Sequence, residues 1–271
     1  RPLDSLAGLR CPGDMTRGRR LCGVLVGLLL ACGETASDDT EGAADSTADS
    51  GGQVTATMGE GGDPTAGAVC EAATHTGEGT YYAATGAGAC SFDASPNDLM
   101  VAAMNMPDYA GSAVCGACVT VAGPSGTITV RIVDLCPGCA SGDLDLSESA
   151  FAKIADPVLG RVPISWQFVS CPVGGDIRYS FKEGSSQYWA GVQVRDHRNA
   201  IASLEFKDDE GAWHPVARES YNYFVQDGGM GVGPLHLRVT DVEGNALEDA
   251  NVPLLAAGET PGSGQFPACS P

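Results

Sequence analysis

The sequence is short of positive charge: 15 Lys and Arg stand against 34 Asp and Glu, a formal net charge of −19. Residues 33–69 hold eight acids and no base, and residues 70–174 hold three bases against ten acids. This balance argues against nucleic acid, anionic lipid or acidic polysaccharide as the main partner and favours a neutral one. Long apolar runs are also missing. The longest, Leu21–Ala31, falls short of the ~20 residues of a spanning helix. No phosphate-binding loop, GxSxG elbow or dinucleotide fingerprint occurs. The four His residues, 75, 197, 214 and 236, share no ligand spacing and read as structural or surface residues. No cofactor and no metal site is implied.

What is present begins with an export signal. Met15 opens a stretch with Arg17, Arg19 and Arg20, followed by the apolar run Leu21–Ala31, the n- and h-regions of a signal peptide. Leu29-Leu30-Ala31-Cys32 resembles the lipobox of bacterial lipoproteins. That resemblance implies lipidation of Cys32, a secreted protein on the outer surface, and contact with the membrane only through the lipid. Residues 1–14 read as translated sequence ahead of the start. Residues 33–69, rich in Gly, Ser, Thr, Ala, Asp and Glu, cannot bury enough apolar surface to offset their ordering entropy and are expected to form a solvated tether.

Eight cysteines then remain: Cys70, Cys90, Cys115, Cys118, Cys136, Cys139, Cys171 and Cys269. An even number in an exported chain points to a disulfide framework, although spacing alone leaves the pairing open. Cys115-x2-Cys118 and Cys136-x2-Cys139 have the spacing of a zinc ribbon. The oxidising compartment favours disulfides instead.

The 37 Gly and 16 Pro favour short strands and turns. Residues 70–173 form a first folded unit. Alternation marks strands at Thr127–Val133 and Ile164–Val169, Gly123-Pro124-Ser125-Gly126 is a turn, and Ser147 caps a short helix ended by Pro157. Residues 174–271 form a second unit. Its candidate strands are Ile177–Phe181, Tyr188–Arg195, Ala202–Lys207, Ala212–Val216 and Leu235–Thr240, the spacing of a small β-sandwich. The tail after Pro253 is expected to be irregular. The stretch Val130–Ser147 carries Asp134, Asp143 and Asp145 around the Cys136-Pro137-Gly138-Cys139 loop, where a cleft is expected. Exposure accounts for Asp143.

The motifs GTYYAA, CGACVTVAGPSG, VDLCPGC, GDLDLS, KEGSSQYWAGVQVRDHRNAI and SYNYFV, spread over about Thr76–Pro253, together resemble a bacterial expansin. The resemblance implies a mainly β protein: a six-stranded double-psi β-barrel followed by an immunoglobulin-like β-sandwich that binds carbohydrate. It places Thr80, Asp134 and Asp145 in the barrel cleft, with Tyr82 touching substrate. It places Tyr188, Trp189 and Tyr221 in an aromatic platform beside Lys182. Flat sugar faces pack on such rings. Consecutive Tyr188 and Trp189 would face opposite ways in a regular strand, so both are exposed only at a bulge or a strand start. Trp166 and Trp213 read as packing residues. Cys136 stands where bacterial expansins often carry a Tyr.

The family resembles family-45 glycoside hydrolases and lytic transglycosylases, in which the aspartate matching Asp145 is a general acid. Inverting hydrolysis needs a second carboxylate to activate water, and Thr80-Tyr81-Tyr82-Ala83, where those hydrolases carry it, holds no acid. Asp134 reads as a residue that shapes the cleft more than as a substitute base. The expected activity is binding and non-hydrolytic loosening of neutral wall polysaccharide, cellulose or a related β-glucan, by a monomer. Two alternatives are a lytic transglycosylase or weak glycanase using Asp145, with peptidoglycan as a further target, and a pure carbohydrate-binding module. The resemblance also implies the pairs Cys90–Cys115, Cys118–Cys171 and Cys136–Cys139, leaving Cys70 for Cys269.

Overall fold

The computed structural model describes residues 73–269. The export signal, Cys32, the tether and Cys70 lie outside them. The first six strands are β1 (His75–Tyr82), β2 (Val101–Asn105), β3 (Cys118–Gly123), β4 (Gly126–Cys136), β5 (Leu144–Ser147) and β6 (Val162–Val169). They close into a barrel in the order β1-β5-β2-β4-β3-β6. The pairs β1/β5 and β2/β4 are parallel, whereas β3/β4 is a hairpin closed at Gly123 and Gly126, as the turn sequence requires. Short helix α1 (Met106–Tyr109) follows β2, and α2 (Glu148–Ile154) follows β5. The Ser147 hydroxyl caps α2 by accepting from the Ala150 amide at 3.0 Å. That helix then buries Ala150, Phe151 and Ile154 against the barrel. Met104, Ile132, Leu144, Leu146 and Trp166 complete a closed core.

Eight further strands form one continuous sheet. They are β7 (Arg178–Phe181), β8 (Ala190–Arg195), β9 (Ile201–Lys207), β10 (Trp213–Arg218), β11 (Phe224–Gln226), β12 (Leu235–Asp241), β13 (Ala246–Val252) and β14 (Gly258–Pro261), in the order β13-β12-β9-β10-β11-β8-β7-β14. Strand β10 pairs first with β9 and then, from Ala217, with β11. The sheet folds back on itself there. The Tyr179 hydroxyl on β7 donates to Asp249 Oδ2 on β13 at 2.7 Å, and both halves share a core of Ile177, Tyr179, Val192, Leu204, Leu237 and Phe266. This is a β-sandwich.

Two expectations are corrected. The tail is not wholly irregular: β14 pairs with β7 from Gly258 to Pro261. Its Gly and Pro hide it from propensity, and Pro is tolerated because the strand is an edge. The strand expected from Tyr188 starts at Ala190. Strands β11, three residues long, and β13, with its exposed Glu248, Ala250 and Asn251, also lack a clear alternating signal.

Barrel and sandwich meet through buried polar groups. Gln193 Nε2 and Asn222 Nδ2 donate to the Cys90 carbonyl at 2.8 and 3.2 Å, and Ser112 Oγ donates to the Glu219 carbonyl at 2.8 Å. Arg195 pairs with Asp93 at 2.6 Å. His197 is fully buried in this seam, with Nδ1 2.7 Å from the Asn199 carbonyl. Burial, with smaller contributions from Arg218 and Arg131, lowers its pKa to about 4. The unfolded chain therefore takes up the proton first as pH falls. Stability present above pH ~6.5 is lost progressively toward pH ~4, by up to roughly 3 kcal/mol. Denaturant unfolding at pH 7 and pH 4 should show a larger loss in the native protein than in His197→Gln. Equal losses would remove His197 as the cause.

Candidate functional site: a barrel cleft and an aromatic surface

Strand pairing brings the residues expected to form the cleft together from distant parts of the chain. Thr80 is in register with Asp145, Asp145 with Ala103, and Ala103 with Asp134. One row thus crosses β1, β5, β2 and β4. Thr80 Oγ1 donates to Asp145 Oδ1 at 2.6 Å, which orients the carboxylate and leaves its second oxygen outside this bond. Asp134 is held differently. Its Oδ1 accepts from the Ala89 and Leu135 amides at 2.7 and 2.8 Å. The loop approaches so closely that a Cβ on Gly88 would lie 2.3 Å from Asp134 Cγ, so only glycine fits. A carboxylate oxygen tied to two backbone amides is a structural fixture of the wall.

Tyr82, two residues past Thr80 on β1, is close enough to feel both acids. Its hydroxyl is buried without a hydrogen-bond partner. Burial raises its pKa, and the charges of Asp134 and Asp145 act in the same direction. Asp134 is near enough to be felt there, yet not in regular hydrogen-bonding geometry. The phenol is thereby kept protonated, as a donor. Asp143, on the same face as Asp145, accepts from the Glu78 amide at 2.8 Å and the Ala140 amide at 3.1 Å. It secures the entry to β5, a role that exposure alone does not describe.

The zinc-ribbon arrangement is not formed. Cys115 bonds to Cys90, Cys118 to Cys171 and Cys136 to Cys139. Cys269 is also in a disulfide, and Cys70, the partner expected for it, lies outside the described residues. Among the described residues no group of three or more His, Cys, Asp or Glu could hold a metal ion. Cys136, locked in its short ring just past Asp134, supplies no aromatic face.

The second surface lies on the sandwich. Tyr188 is 74% exposed, while Trp189 is half-buried. Both precede β8, in a turn where Ser186 bridges Trp189 through backbone bonds of 2.6 and 3.3 Å. Strand alternation has not begun there. The indole lies over Gly191, where a Cβ would come within 3.1 Å of the ring. Lys182 Nζ sits 5.4 Å from the Tyr221 ring centroid and 4.8 Å from that of Tyr223. Tyr223, buried 6.0 Å from Tyr221, supports this end of the surface. It was overlooked in the sequence, although the Tyr-x-Tyr of SYNYF signals it. Trp166 is a core residue, 1% exposed. Trp213 is half-buried, with Arg238 4.2 Å from its ring centroid and Lys207 at 5.4 Å.

Comparison with known proteins completes the assignment. A family described as lytic transglycolase matches residues 74–166. Expansin-YoaJ of Bacillus subtilis (strain 168) is 38% identical over 204 residues, 72% of this chain and 85% of that protein. Expansin-like protein 2 of Dictyostelium discoideum is 32% identical over 198 residues, 69% of this chain and 49% of its own length. The crystal structure of an apo expansin from Clavibacter michiganensis superposes with a TM-score of 0.67 at 37% identity, covering 72% of this chain and 98% of that one. An Asp-to-Asn mutant of the same expansin, solved in complex with cellohexaose, gives 0.68 at 36% identity over the same shares. With this fold, these paired disulfides and this relationship over both the barrel and the sandwich, the chain belongs to the expansin family.

Proposed function

We propose that this protein binds neutral wall polysaccharide, cellulose or a related β-glucan, and loosens contacts between its chains without hydrolysing them. The observation that carries the reading is the partner of Asp145. On the neighbouring strand it faces the hydroxyl of Thr80 at 2.6 Å, and the segment Thr80-Tyr81-Tyr82-Ala83 holds no carboxylate of the kind inversion needs, set apart from the acid, to activate water. The other acid of the row, Asp134, is held in the wall by two backbone amides on its Oδ1. In this reading Asp145 and Tyr82 hydrogen-bond sugar hydroxyls, while Tyr188, Trp189 and Tyr221 hold the polymer by ring stacking beside Lys182. The relative crystallised with cellohexaose supports the choice of a β-glucan. The export signal and the Leu29-Leu30-Ala31-Cys32 sequence support delivery to the outer surface on a lipid at Cys32.

The test is Asp145→Asn in the full chain, with extension of cellulose paper under load and soluble sugar release measured in the same samples. Loss of a hydrogen bond from a charged acceptor should lower loosening about tenfold, with no sugar released by either protein. Reducing-end or anhydro-sugar release by the native protein that vanishes in Asp145→Asn would establish the lytic alternative. Undiminished loosening would leave a binding module with an inert barrel.

A further inference from the structure

We infer that the turn Asp156–Arg161 is an additional polysaccharide contact that prolongs the cleft beyond Thr80 and grips a further stretch of the same neutral glucan chain. This rests on the reading above.

The turn is placed by strand pairing. The β1/β6 register ends at Gly79 opposite Val162, so its continuation sets Arg161 opposite Thr80. The row then runs Asp134, Ala103, Asp145, Thr80, Arg161, four strand spacings or about 19 Å of barrel surface. Of the three basic residues in 70–174, Arg131 lies 5.4 Å from the Phe92 ring centroid and Lys153 belongs to the last turn of α2. Arg161 is the one at the cleft, and its side chain is 58% exposed.

Arg161 is also steadied. It pairs with Glu78, and the Glu78 amide is bonded to Asp143. Glu78 above all, then Asp143 and Asp145, keep the guanidinium charged. The turn itself is anchored: Asp156 Oδ1 accepts from the Val158 amide at 3.0 Å, and the Pro157 carbonyl accepts from the Tyr81 hydroxyl on β1 at 3.3 Å.

In the same turn, three and two residues before Arg161, two large apolar side chains face solvent, Val158 at 83% and Leu159 at 57% exposure. An apolar lip next to a planar donor fork and a carboxylate acceptor matches a sugar ring. The ring's C–H surface packs on the aliphatic groups, while neighbouring hydroxyls accept from the guanidinium and donate to Glu78. One cation among three carboxylates repels a carboxylated chain and suits a neutral one.

Arg161→Ala in the full chain, and separately Val158→Ser with Leu159→Ser, should each reduce paper extension about tenfold at an unchanged melting temperature. Arg161→Lys, which keeps the charge and loses the fork, should recover only part of the activity. Native-level loosening in either variant overturns the inference, as does a loss matched by a fall in melting temperature. Asp145→Asn, run alongside, separates the two claims. If it alone loses activity, the turn is not a contact and the cleft reading stands. If it too is fully active, the cleft reading itself fails.

Discussion

Replacing Tyr188 and Trp189 together with alanine is expected to abolish retention on cellulose while leaving the fold unchanged. Both residues stand in the turn before β8, and the Tyr188 side chain is largely in solvent, so removing it leaves no cavity. The indole rests on Gly191 and not in the sandwich core. Truncating an anchoring aromatic at a binding surface costs about 2 kcal/mol or more, roughly 30-fold in affinity for each ring. The double variant should therefore remain in the supernatant of a cellulose pull-down at concentrations where the native protein is depleted. Its melting temperature should stay within a few degrees of native. A double variant that still binds with native affinity would remove the platform from the mechanism.

The largest effect on stability is expected from Trp166→Ala. Trp166 is 1% exposed, stacks on His75 with ring centroids 4.0 Å apart, meets Phe168 edge-on at 5.5 Å, and donates from Nε1 to the Gly142 carbonyl at 2.8 Å. Emptying such a site costs about 4 kcal/mol, and the orphaned carbonyl adds to it. For a folded part of this size the melting temperature should fall by roughly 10–15 °C. The damage should also reach the cleft. Gly142 leads directly into Asp143 and β5, and its amide donates to Asp108 Oδ2 at 3.0 Å. Thermal unfolding checks the first claim, and loosening measured well below the new midpoint checks the second. Trp166→Phe should retain most of the stability, and a drop of only a few degrees in Trp166→Ala would refute its place in the barrel core.

Much of the fold was legible because it follows from local chemistry. Alternation announced β4 and β6, Ser147 announced the cap of α2, and Gly123 to Gly126 announced a hairpin. Strands β1, β2, β3 and β5 of the barrel were not read from the sequence, and in the sandwich the signal fails where β11 is three residues, β13 is polar on its exposed edge, and β14 ends in proline. The cleft was legible only by likeness to a family. Thr80 and Asp145 are 65 residues apart and meet because β1 and β5 run parallel, a pairing that carries no local signature. Arg161 and Glu78 were missed for the same reason, since an Arg after a turn and a Glu in a polar strand read as ordinary solvated charges. The CxxC pairs misdirect when read by spacing alone, because the barrel carries Cys115 to Cys90 and Cys118 to Cys171.

The sequence by itself determined the acidic balance, the β-rich class and the residue types available for gripping sugar. These depend on composition and on periodicities of a few residues. Only the tertiary structure decided that Asp134 is tied to the wall while Asp145 faces a hydroxyl, and that Tyr188 and Trp189 precede the first regular pair of β8. The Thr80–Asp145 pair depends on register between strands far apart in the chain, and the other two on how loops close onto the strands. Register is set by the packing of a closed barrel and a folded sheet, not by any residue's own preference.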